Sequence, residues 1–202
     1  MWCSRAPVVL AVVAAMTSCG GEEAPVPSAD LEVEAEAALR EASLTLVPPN
    51  CGGVVISAGF GLTAAHCIAE GETTRAAVLS TGEVVPVLVE VDRPRDIALL
   101  AFDEPVDVTP LDVADTMPNI GDLLFFLGRA DDEDAALQTA QVLDIGACPT
   151  IPGVDNAIFT DLEAIPGDSG TPLLNEDLEV VGLVHGGAEC EIAAPVSGLE
   201  VE

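Results

Sequence analysis

The strongest constraint on this chain is a succession of short apolar runs cut by turn residues. From Leu44 onward, Val54–Ser57, Ala76–Leu79, Val84–Val91, Ile97–Phe102, Leu123–Leu127, Gln138–Ile145, Ala157–Thr160, Thr171–Leu174 and Val180–His185 are each of strand length. They are rich in β-branched residues and bounded by clusters of Gly, Pro and Asp. No long stretch repeats its apolar residues at a helical period. About ten short strands without crossover helices imply an all-β fold, either a sandwich or a pair of barrels. With five Phe, no Tyr and a single Trp at position 2, the core has to be aliphatic.

Charge narrows the function classes. The chain carries 35 acidic residues against 6 basic ones, for a net charge of −29. Phosphate contacts need clustered Lys and Arg, so nucleic acid is excluded as a partner, as is direct adsorption to anionic lipid. A solvated acidic surface that keeps the protein soluble accounts for the excess. A salt-adapted host is the second reading.

Residues 1–19 read as an export signal. Arg5 supplies the positive start, and Ala6 to Met16 form an apolar stretch too short to span a bilayer. The stretch runs into Met16-Thr17-Ser18-Cys19, which resembles the bacterial lipoprotein signal and would make Cys19 the lipidated residue. Cleavage as an ordinary secretory signal is the alternative. Both export the chain, to the bacterial cell envelope or the medium. Residues 20–43 read as an acidic tether or pro-segment, with a short helix over Asp30–Ala42 capped by Asp30, or a solvated arm. Residues 44–202 form the folded domain.

Four cysteines lie in that domain: Cys51, Cys67, Cys148 and Cys190. In an oxidising compartment an even count reads as two disulfides. Metal binding fits poorly, because the spacings are long and the chain has only two His. The Asp131-Asp132-Glu133-Asp134 run lacks the pattern of a calcium loop and reads as solvated. No metal or cofactor is expected.

Three segments carry chemistry: Leu62-Thr63-Ala64-Ala65-His66-Cys67, Arg95-Asp96-Ile97-Ala98-Leu99-Leu100, and Gly167-Asp168-Ser169-Gly170. A serine hydroxyl is a weak nucleophile unless a base takes its proton and a carboxylate orients that base. Gly167 and Gly170 permit a tight turn around Ser169, in which the amides of Gly167 and Ser169 can face one point as an oxyanion hole. Each segment alone is commonplace. All three in this order, with these flanks, on a β chain, are specific.

Together, from about Cys51 to Val196, they resemble the trypsin-like (chymotrypsin-fold) serine protease family. The resemblance implies two packed antiparallel β-barrels with the active site between them, and a protein or peptide substrate cleaved by a monomer. It implies Ser169 as nucleophile, His66 as general base and then acid, and Asp96 as the group that orients His66. It maps the family's disulfide beside the histidine onto Cys51 and Cys67. Cys148 and Cys190 remain, without a matching family pair.

Several positions depart from the family. No Ile-Val-Gly-Gly-like start precedes Cys51 to supply an amino group for Asp168. His185 stands where a serine normally touches the catalytic Asp, one position later than the histidine of glutamate-specific bacterial relatives. It therefore reads as a contact to Asp96 or a rim residue. Gly186 replaces the Trp that walls the S1 pocket, and Gly187 follows it. Glu163 falls at the S1 base, where a dry carboxylate would select Arg or Lys at P1; the alternative is a Glu163 turned to solvent. Thr171 replaces a common Gly. The family's C-terminal helix is missing before Glu202, so the second barrel is expected to be incomplete or to have its edge covered in another way. A protease-fold binding protein at the cell surface and a small-molecule esterase are the competing functions.

Overall fold

The protein is described from a computed structural model covering residues 26–47, 51–128, 134–148, 153–186, 192–197 and 199. The signal segment with Cys19, Gly187, Cys190 and residues 131–133 of the acidic run lie outside the described residues.

The chain enters through one helix, α1 (Ala29–Ala42). Its N-cap is Ser28, whose side chain accepts from the Leu31 amide at 3.2 Å. Asp30, the expected cap, sits inside the first turn, where its charge complements the helix dipole. Ala35, Leu39 and Ala42 recur at helical spacing and are fully buried, in one cluster with Phe125, Leu127 and Leu174. The segment expected as a tether thus carries a docked helix.

Two six-stranded antiparallel barrels follow, each closed. The first holds β1 (Ser43–Val47), β2 (Cys51–Ser57), β3 (Phe60–Ala64), β4 (Thr74–Leu79), β5 (Val84–Asp92) and β6 (Ile97–Phe102), in the order β1-β2-β3-β6-β5-β4. The second holds β7 (Leu123–Phe126), β8 (Gln138–Gly146), β9 (Ala157–Thr160), β10 (Pro172–Leu174), β11 (Val180–Val184) and β12 (Ile192–Pro195), in the order β10-β11-β12-β9-β8-β7. The second barrel is complete: β12 pairs with both β11 and β9, so the edge expected to need a cover does not exist.

The strand pattern explains the barrels. In β5, Val87 is buried at 1% while its neighbour Leu88 is 54% exposed, the period-two alternation of a barrel wall. Leu44, Leu46, Val55 and Leu100 fill the first barrel. Leu124, Phe126, Ile158 and Leu173 fill the second. Val54 and Leu62 of the first barrel join Phe125 and Leu183 of the second in one cluster, so apolar packing continues between the halves.

Candidate active site

The first barrel supplies a histidine and a carboxylate. After β3 the chain makes a short 3-10 turn, Ala65–Cys67, which carries His66. Cys67 is bonded to Cys51 on β2, across 16 residues of sequence. This pins the turn to the barrel wall. Asp96 precedes β6 at φ 55°, in the left-handed region that Asp tolerates better than most residues. From there it grips the histidine turn twice: the His66 amide donates to Oδ1 at 2.9 Å, and the Ala65 amide donates to the Asp96 carbonyl at 3.0 Å. Arg93 closes the clamp by donating to the carbonyls of Ala65 at 3.0 Å and Ile68 at 2.8 Å. In the sequence Arg93 was only half of a basic pair; its role at the carbonyls of the histidine turn had no signature.

Asp96 is buried, with 4% of its surface exposed. His66 Nδ1 lies 2.9 Å from Oδ2 and 3.2 Å from Oδ1. His185 Nδ1, arriving from the end of β11, meets the same Oδ2. The two rings stand edge-on, with centroids 4.7 Å apart. Burial pushes the Asp96 carboxyl up, but the hydrogen bonds from His185 and His66 overcome it and hold the group at about 2. Asp96 is therefore ionised and can only accept. Both histidines must then carry hydrogen on Nδ1, which leaves Nε2 of a neutral His66 as an acceptor.

The second barrel supplies the serine. Gly167 and Gly170 have φ of 108° and 82°, and hold the turn that presents Ser169. The Ser169 carbonyl accepts from the Gly52 amide at 2.8 Å, and the Gly170 amide donates to Val184 at 2.7 Å. In the segment 165–171, the amides of Ile165, Asp168, Gly170 and Thr171 are all used. Those of Gly167 and Ser169 donate to nothing among the described residues. Ser169 Oγ donates to the His185 carbonyl at 3.3 Å, and not to the His66 ring. Catalytic hydrogen bonds are often long or misaligned before substrate binds. His185 thus touches the carboxylate with its ring and the serine with its main chain.

The pocket residues separate. Gly186 has φ 70°, and a Cβ there would stand 3.9 Å from Ser169 Oγ, so the wall beside the serine carries no side chain. Glu163 is exposed. In the segment after β9 the neighbouring Leu162 is buried, at 5% exposure. Glu163 lines a cleft of about 150 Å³ together with Gly128, Gln138 and Asp168. Glu163 is thus both exposed and on the rim of a cleft next to Asp168. Asp168, buried, accepts from the Ile165 amide at 2.8 Å. Cys148 is buried and disulfide-bonded.

This arrangement of barrels and side chains defines a class. Residues 51–183 match the trypsin-like peptidase domain, and the chain belongs to that family of serine-type peptidases. Among relatives, it is 26% identical to trypsin iota of Drosophila melanogaster, over 85% of this chain and 78% of the fly protein. It shares its fold with the serine endoprotease from Yersinia pestis, at TM-score 0.66 and 21% identity, with 85% of this chain and 64% of the Yersinia chain covered. The chain therefore spans less than two thirds of that protein. Deg5 gives TM-score 0.66 at 19% identity, covering 83% of this chain and 89% of its own.

Proposed function

We propose that this chain is an exported serine endopeptidase that works through an acyl-enzyme on Ser169. The observation that carries the reading is the ionised Asp96 holding His66 by Nδ1, with a glycine-flanked Ser169 presented from the other barrel. His66 Nε2 accepts the Ser169 proton as Oγ attacks a peptide carbonyl, then returns it to the leaving amine. The unused amides of Gly167 and Ser169 suit the developing oxyanion; one such donor is typically worth about 3 kcal/mol of barrier. Water then enters, and His66 repeats the cycle to free the acid. Export rests on the signal-like residues 1–19, with Cys19 as lipid attachment point.

One observation favours a second reading, a catalytically weak binding protein. Ser169 Oγ is turned to the His185 carbonyl. A fluorophosphonate probe separates the two: the folded protein labels at Ser169, and Ser169→Ala loses both label and peptide hydrolysis. Absence of labelling on folded protein, with saturable capture of a peptide, would establish the second reading.

A further inference from the structure

We propose that His66, Asp96 and His185 form an inhibitory binding site for a zinc-class divalent cation. The three are 30 and 89 residues apart in sequence, and the fold brings one ligand atom of each within 4.8 Å of the others.

The donor set selects the ion. Two imidazoles and one carboxylate, with a fourth position left for water, is a combination that zinc favours; calcium and magnesium want oxygen alone. Zinc bonds of about 2.0–2.2 Å put ligand atoms ~3.3–3.5 Å apart around a tetrahedral ion. His66 Nδ1 and Asp96 Oδ2 stand at 2.9 Å, so a small outward turn of each ring admits the metal. The rings can turn because the His66 side chain is 38% exposed and that of His185 19%, while Asp96, at 6%, is the fixed anchor. Among the described residues no Lys or Arg side chain bonds to Asp96, and its negative charge supports the cation.

Tautomerism supplies the inhibition. In the resting site each neutral imidazole carries its one hydrogen on Nδ1 and donates it to Asp96. A metal ion on Nδ1 displaces that hydrogen to Nε2. No proton leaves the site; each ring only moves its own. His66 Nε2 then carries a hydrogen and donates where it must accept, so Ser169 loses its base. A serine at position 185 supplies only a hydroxyl, a poor zinc ligand, so the site depends on the histidine this chain carries.

The inhibition rests on the peptidase reading; the binding does not. Calorimetry with zinc chloride on the full chain, in physiological salt with excess magnesium to occupy the acidic surface, measures binding directly. Wild type and Ser169→Ala should each take up one tight equivalent, and His185→Ser should lose it. His185→Asn serves as a second variant, with far-ultraviolet circular dichroism and metal-free melting establishing that both are folded. Zinc should also stop peptide hydrolysis by the wild type, with recovery on adding a chelator, and should inhibit each His185 variant far less relative to its own metal-free rate. A folded wild type without the tight equivalent, or folded His185 variants that keep it, would overturn the site. Zinc uptake by a protein that never cleaves peptides would sink the peptidase reading and leave the site standing.

Discussion

The Gly52 amide donates to the Ser169 carbonyl at 2.8 Å, so a strand of the first barrel holds the serine turn of the second. The approach is close enough that position 52 has no room for a side chain. A Cβ there would fall 2.2 Å from Thr171 Oγ1 and 3.1 Å from the Thr171 backbone. Gly52→Ala should therefore lower stability by about 1–3 kcal/mol, the usual range for overpacking, and displace Ser169. Urea denaturation and the rate of fluorophosphonate labelling check it; an unchanged labelling rate would show that the turn is held elsewhere.

Asp96→Asn tests the orientation of His66. An amide offers His66 both a donor and an acceptor, so it no longer imposes hydrogen on Nδ1. Peptide hydrolysis should fall by about four orders of magnitude with the fold retained, as loss of the orienting carboxylate does in triad enzymes. A loss of only a few-fold in kcat would mean that the clamp by Arg93 orients the ring without the charge.

Acid stability follows from the same carboxyl. Asp96 titrates at about 2 in the fold, against an ordinary value of 3.8. Its contribution is fully present above 3.8 and is lost as pH falls through 2. At about 1.4 kcal/mol per pKa unit, the loss is on the order of 2 kcal/mol. Urea melts at about pH 5 and about pH 2 should show this decrement in wild type beyond whatever Asp96→Asn shows. Equal decrements in the two proteins would contradict it.

Leu39→Ala probes the docked helix. Leu39 is fully buried between the helix and the barrel residues Phe125, Leu127 and Leu174. Truncation should cost about 2–5 kcal/mol, readable by chemical denaturation. Exposed Val33, at 69%, is the control on the same helix, and Val33→Ala should be near neutral.

The strands were legible because they announce themselves locally; that they close as two barrels and not as a sandwich came from the family resemblance. Ile97–Phe102 and Ala157–Thr160 are bounded in the structure as turn residues bound them in the sequence. Three strands were not separately readable. Phe60–Ala64 carries a glycine and merges into the histidine motif, Ile192–Pro195 pairs two alanines with a proline, and Ser43–Val47 follows directly on a helix. Helix docking was also hidden, since burial of Ala35 and Leu39 depends on residues some ninety positions away. The motifs singled out His66 and Asp96, which meet, but not the contact that Ser169 makes. Which atom of His185 would face the serine, ring or carbonyl, is set by the path of β11 past the turn, and no local pattern encodes that.

Helix α1 leads straight into the first barrel and packs both against β2 of that barrel and against β7 of the second. The first residues of the folded chain thus complete a surface that is synthesised much later. Cutting the molecule between its barrels, near residues 103–122, would not yield two self-sufficient halves. The front fragment would carry a helix with half of its apolar face uncovered, and the rear fragment the matching surface around Phe125. Each would expose apolar surface that the other covers in the whole chain. In engineering terms the helix is a seam shared by both halves, so any cut point has to keep it with each.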